Sequence, residues 1–128
     1  MILDPAPLEI KQAQKLGLKT VTSLLEDFET GGSKYDFVLL CQTVDHLLDV
    51  SSAFTKIKSL LKRSGTLFVD IVDFRAAYLR HQRVENAVKI DHPYYLTESS
   101  IEAYLSKFGF EVIRKNYAQD YLHVGYLC

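Results

Sequence analysis

The chain has little cysteine and no excess of charge of either sign. Its two cysteines, Cys41 and Cys128, have no CxxC partner and no metal-type neighbour, so they read as free thiols in a reducing compartment, and a cytoplasmic location is expected. The four histidines, His46, His81, His92 and His123, contain no i, i+4 pair, so their spacing marks no metal site and none is expected. A net charge of −1 supplies no electrostatic reason to bind nucleic acid. No apolar run reaches membrane length. The start, Met1-Ile2-Leu3-Asp4-Pro5, lacks the basic residues and long apolar stretch of a secretion signal. The absence of GxxxxGK[ST] argues against nucleoside triphosphates. Internal repeats and low-complexity segments are also missing.

What is present suits a single folded domain spanning residues 1–128. The chain has 128 residues, 48% of them hydrophobic and 24% charged, which is ordinary for a globular protein with a real core. Its most informative stretch is Tyr35 to Phe74. Tyr35–Cys41 reads as a buried strand, and Gln42-Thr43-Val44-Asp45-His46 as a polar corner. An amphipathic helix follows from Asp49 to Leu61, with Ala53, Phe54, Ile57, Leu60 and Leu61 on its apolar face and Asp49 or Ser51 as cap. Lys62-Arg63-Ser64-Gly65 closes it, and Thr66–Val72 is a second apolar strand. Together these form a βαβ crossover, which predicts a parallel sheet covered on both faces. Ligands of such sheets gather beyond the carboxyl ends of the strands, here Cys41 to His46 and Asp70 to Phe74.

Upstream, Met1–Asp4 reads as a short strand tipped by a carboxylate. Pro5 and Pro7 restart the chain into a helix with Leu8, Ile10, Ala13 and Leu16 on one stripe and Gly17 as its stop. Leu18–Val21 reads as a strand and Thr22–Ser33 mostly as loop. Downstream, Phe74–Leu96 is a long, basic and aromatic cover segment that has room for a helix between Arg75 and Val88. Thr97 caps a helix with Ile101, Tyr104, Leu105 and Phe108 on one face, ending at Gly109. Phe110–Asn116 and Tyr121–Leu127 predict a terminal antiparallel hairpin.

This order of elements resembles the class I S-adenosylmethionine-dependent methyltransferases. Tyr35-Asp36-Phe37-Val38-Leu39-Leu40 looks like that family's fourth strand. Asp45-His46-Leu47-Leu48-Asp49 is similar to the acid-His-Leu-x-Asp run that follows it. Leu60-Leu61-Lys62-Arg63-Ser64-Gly65-Thr66-Leu67 is similar to the Leu-Leu-Lys-Pro-Gly-Gly turn into strand five. Phe108-Gly109-Phe110-Glu111-Val112 looks like the passage from the last helix to the sixth strand. The resemblance implies a three-layer, Rossmann-like α/β fold with a mostly parallel sheet and a C-terminal antiparallel hairpin. It departs from the family in one respect. No GxGxG occurs, so the first βα unit with its glycine-rich loop is absent. The chain then corresponds to the larger, C-terminal part of such a domain. Losing a central strand leaves two rows of unpaired backbone groups. Three repairs are open: Met1–Asp4 moves beside Tyr35–Cys41, a second copy of the chain fills the gap, or a missing N-terminal segment does.

The resemblance also implies site residues, each set against a plainer reading. Asp4 would hold the two ribose hydroxyls of S-adenosylmethionine, or else cap the turn at Pro5. Leu24 and Leu25 would pack on adenine, or else form a solvated turn. Cys41 and Gln42 would line the methionine side of the cofactor pocket. His46 is the one candidate catalytic base, since imidazole ordinarily titrates near neutrality; bracing the next helix is the favoured alternative. Asp70 and Asp73 invite a paired-carboxylate reading with nothing further to support it. Arg75, Tyr94 and Tyr95 would contact substrate, or else lie on a solvated helix and a packed turn. The leading function is methyl transfer to an unidentified small molecule, with no nucleic-acid or membrane partner. The alternative is a non-catalytic, methyltransferase-like module for dimerisation or partner binding. An unrelated nucleotide-binding α/β protein is a third, weaker reading.

Overall fold

The proline-punctuated N-terminus folds as a small βαβ element. The computed structural model describes residues 1–90 and 92–128 and divides into two units, residues 1–33 and 34–128. In the first unit, strand β1 (Ile2–Asp4) pairs in parallel with β2 (Thr20–Thr22), with Ile2 opposite Thr20 and Asp4 opposite Thr22. Helix α1 (Pro7–Lys15) connects them and carries proline in its first turn, where no amide is needed. Gly17, at φ +75°, ends it in the left-handed conformation that glycine adopts without strain. The expected four-residue stripe is corrected. Ile10 and Ala13 are buried, while Leu8 is 71% and Leu16 78% exposed. Residues 8 and 10 differ by roughly 200° around a helix, and Leu16 lies past its last turn. Strand β2 starts later than Leu18 because Leu18 still donates to the Ala13 carbonyl as the helix closes.

The second unit is built on the central βαβ. Strand β3 (Tyr35–Leu40), helix α2 (Val50–Leu60) and strand β4 (Leu61–Val72) follow in order, and the two strands run parallel. Asp49 caps α2 by accepting from the Ser52 amide at 3.0 Å and the Ser52 hydroxyl at 2.7 Å. Those Ser52 hydrogen bonds hold the Asp49 carboxyl below its ordinary range. Ala53, Phe54, Ile57, Leu60 and Leu61 are all buried, as their spacing predicts. Helices α3 (Phe74–His81), α4 (Val84–Ala87) and α5 (Glu98–Lys107) follow, then β5 (Arg114–Tyr117) and β6 (His123–Leu127).

The strands of this unit lie in the order β3-β4-β6-β5, with β6 antiparallel to both neighbours. The terminal hairpin therefore forms, with shifted limits. Phe110 does not open β5; it is buried against the ring of Phe54, 6.0 Å between centroids. Tyr121, at φ +55°, belongs to the turn before β6. Glu98, Glu102 and Lys115 tie α5 to β5. The Lys115 ammonium reaches Glu102 at 2.7 Å and also pairs with Glu98. Burial opposes the charge on Lys115, but its hydrogen bonds to Glu102, Glu98 and Tyr117 raise its pKa above lysine's ordinary value.

Two expectations about β3 are corrected here. Among the described residues β3 pairs with β4 alone and β1 with β2 alone, so the expected pairing of Met1–Asp4 beside Tyr35–Cys41 is not seen. The strand is also not covered on both faces. Leu40 is buried, but Phe37 is 50% and Leu39 56% exposed on the opposite face. An apolar run shows that a strand can be buried on two sides; it does not supply the second cover.

Candidate active-site cleft

The carboxyl ends of β3 and β4 meet at a corner built by one carboxylate. The Gln42 amide donates to Asp70 Oδ1 at 2.7 Å, and its side-chain nitrogen donates to Oδ2 at 3.2 Å. These bonds hold Gln42 at φ +50°, where a non-glycine residue is strained by about 1–2 kcal/mol. Asp73 is similarly committed. Its Oδ2 accepts from the Ala76 amide at 3.1 Å and its Oδ1 from the Glu98 amide at 3.3 Å, so one buried side chain caps both α3 and α5. The two acids flanking the end of β4 thus clamp the backbone. Cys41 is exposed at the same tip. Desolvation and, after it, the charge of Asp70 push its thiol up, which keeps it protonated at neutral pH.

Beyond the corner the chain turns through a short 3₁₀ segment, Val44–His46, which buries Asp45 and leaves His46 exposed. Asp45 Oδ2 pairs with His92 Nδ1 at 2.9 Å, and both side chains are only 9% exposed. The rings of His46 and His92 meet edge to face, 4.4 Å between centroids. Asp45 Oδ1 is buried and has no hydrogen-bond partner among the described residues.

Asp45 and His92 stand in the wall of a cleft of about 350 Å³ of empty space, including its part open to solvent. Apolar Ile71, Val72 and Leu96 line it together with Phe74, Lys89, Tyr94 and Tyr95. The tyrosines are held in place. Tyr94 donates to the Leu48 carbonyl at 2.6 Å, and Tyr95 donates to the Lys89 carbonyl at 2.6 Å and stacks obliquely on Phe74, 5.0 Å between centroids. An apolar concavity with a few convergent polar groups is the usual form of a small-molecule site.

The structure places the sequence-derived candidates unevenly. Tyr94 and Tyr95 line the cleft; Arg75 is exposed in the first turn of α3 and is not part of the lining. Cys41 and Gln42 stand at the strand corner. In the first unit, Asp4 ends β1 and its Oδ1 accepts from the Ala6 amide at 2.7 Å. Leu24 is exposed and Leu25 half-buried in a turn closed by the Phe28 amide on the Leu25 carbonyl. Sequence reasoning missed the Asp45–His92 pair and the lining residue Lys89. The two paired residues are far apart in the chain, and no short spacing signals such a meeting.

A profile of the methyltransferase domain family matches residues 3–115. A search of curated proteins gave no match. Among solved structures, the chain is similar to a methyltransferase of Thermotoga maritima described as a possible histamine N-methyltransferase: 20% identity, TM-score 0.79, covering 98% of this chain and 70% of that one. It is similar to an S-adenosylmethionine-dependent methyltransferase of Clostridium acetobutylicum at 14% identity and TM-score 0.73, covering 98% and 72%. It also resembles the N-methyltransferase NodS of Bradyrhizobium japonicum, solved with S-adenosylhomocysteine, at 14% identity and TM-score 0.72, covering 98% and 63%. The fold is Rossmann-like α/β.

Proposed function

The chain belongs to the methyltransferase domain family, and from that premise we propose that it serves S-adenosylmethionine-dependent methyl transfer to a small molecule, as a single methyltransferase-like domain in the cytoplasm. The observation that carries the reading is the cleft beside the carboxyl end of β4, lined by Asp45, His92, Tyr94 and Tyr95. In the first unit, Asp4 is assigned to the ribose hydroxyls and Leu24–Leu25 to adenine. In the second, Cys41 and Gln42 are assigned to the methionine end. Tyr94, Tyr95 and Lys89 face the acceptor, and Arg75 lies outside the cleft lining at the start of α3.

The fit to the whole donor is incomplete. A cofactor cradle needs glycine where a Cβ would obstruct the ligand. The left-handed pair Gly31 and Gly32 borders open space, and the crowded glycines, Gly65 and Gly125, are tight against the protein's own Leu61 and Phe68. What the chain's own residues do is orient an acceptor between fixed tyrosines and exclude water from an apolar lining. Methyl transfer gains most from alignment of that kind, and the cleft contains no dedicated acid–base pair from Asp70 and Asp73.

Among the described residues β3 has one strand neighbour, β4, and open strand edges recruit strands. We assign its completion to a strand from a second copy or from a segment preceding residue 1. Light scattering separates these: a dimer identifies the second copy, and a monomer at high concentration excludes it. Calorimetric titration of the full chain with S-adenosylhomocysteine tests the function. Micromolar binding is expected. Millimolar or absent binding by the folded chain sinks the enzymatic reading and leaves a non-catalytic module that associates through β3.

A further inference from the structure

We propose that Asp45, His46 and His92 form a binding site for one divalent first-row transition-metal ion, such as zinc or cobalt, in the wall of the cleft. The donor set is two imidazole nitrogens and one carboxylate oxygen, which suits these ions, whereas magnesium and calcium prefer oxygen alone. One candidate donor atom from each residue lies within 4.8 Å of the other two. Bonds of about 2.1 Å to a common ion place ligands roughly 3.4–4.2 Å apart. Inward side-chain movements of less than about 1 Å therefore close the site.

A second, independent observation points to a cation. Asp45 is only 6% exposed, and its Oδ1 has no hydrogen-bond partner among the described residues. Buried carboxylate oxygens are normally satisfied, and leaving one bare is costly. The Asp45–His92 contact occupies Oδ2 only. Among the described residues of the second unit, the charged or titratable groups lining the cleft, besides Asp45 and His92, are Lys89 and the phenols of Tyr94 and Tyr95, and both phenols donate to backbone carbonyls. A bound ion supplies the positive charge that Oδ1 lacks. It would also keep coordination positions beyond its three protein ligands, as ions in reactive sites do.

Because Asp45 and His92 line the cleft, a cleft ligand carrying a hydroxyl or carboxylate oxygen would complete the coordination. This last point rests on the proposed methyl-transfer reading; ion binding does not.

The test uses the full chain after chelator treatment. Titration with Zn²⁺, followed by calorimetry and by histidine-selective ¹H–¹⁵N spectra, is expected to show one ion per chain. The ring nitrogens of His46 and His92 should shift while those of His81 and His123 stay. Co²⁺ should give visible d–d absorption of a low-symmetry nitrogen–oxygen site. Asp45→Asn and His46→Gln should each weaken Zn²⁺ binding at least about 10-fold, and His81→Gln should leave it unchanged. If Asp45→Asn does not fold, His46→Gln, altered at an exposed side chain, and the spectra of the unaltered chain decide. Absence of saturable binding, or shifts at His81 or His123 instead, overturns the proposal. Zn²⁺ binding without S-adenosylhomocysteine binding sinks the methyl-transfer reading alone; the reverse result sinks the ion site alone.

Discussion

Phe54→Ala is expected to cost about 3–5 kcal/mol of stability, a large share of what a domain of this size possesses. Phe54 is fully buried on the inner face of α2. Its ring lies 6.2 Å from that of Tyr104, 5.9 Å from Phe108 and 6.0 Å from Phe110. It is therefore the contact that joins the crossover helix to α5 and to the segment leading into β5. Truncation removes apolar burial and leaves a void that three aromatic rings, fixed on two elements, cannot all move to fill. Lys58, whose ammonium sits 4.5 Å from the Phe110 centroid and donates to the Gly109 carbonyl at 2.8 Å, further restrains that collapse. Urea unfolding followed by far-UV circular dichroism checks the result: the midpoint should fall sharply with little change in slope. A loss below about 1 kcal/mol would show that the aromatic cluster does not hold α2 to α5.

Asp73→Ala is expected to be the second most damaging change, at about 2–3 kcal/mol. Two helix N-termini lose a charged acceptor at once, and the Ala76 and Glu98 amides lie where water reaches poorly. Asp73→Asn should recover roughly half, because its single carbonyl oxygen can serve one amide but lacks the charge that favours a helix N-terminus. The change should also loosen the cleft, since Phe74 follows Asp73 directly and its amide donates to the carbonyl of Leu96, another lining residue. Hydrogen exchange distinguishes this from general destabilisation: protection should fall first at the starts of α3 and α5. Equal loss across β4 and β6 would contradict the double-cap account.

Much of this arrangement is legible in the amino-acid order. The parallel crossover from Tyr35 to Val72 forms, with its second strand starting at Leu61, ahead of the expected Thr66; Asp49 caps α2, and Thr97 caps α5 in a reciprocal box with Ser100. The terminal strands pair antiparallel, and the family resemblance agrees with the match over residues 3–115. The exceptions are local. Apolar character alone places Leu8 and Leu16 with Ile10 and Ala13, whereas Leu8 lies on the outer face of α1 and Leu16 just past its end. A carboxylate at a strand tip, such as Asp70 or Asp73, looks the same in the sequence whether it meets a substrate or a backbone amide. Tyr94 and Tyr95 line the cleft as the resemblance implied, whereas Asp45, Lys89 and His92, which join them there, carry no common motif.

The division follows from range. Helix periodicity, caps, turns and strand propensity depend on residues within about four positions of each other, so reading along the chain recovers α2, α5, β3 and β4. Which strand lies beside which, and which side chains meet, depends on contacts closed over dozens of residues. Folding alone placed β6 between β4 and β5, left the Phe37–Leu39 face of β3 uncovered, and brought His92 back to a buried Asp45. Those are packing outcomes, and the chemistry proposed for the cleft depends on them.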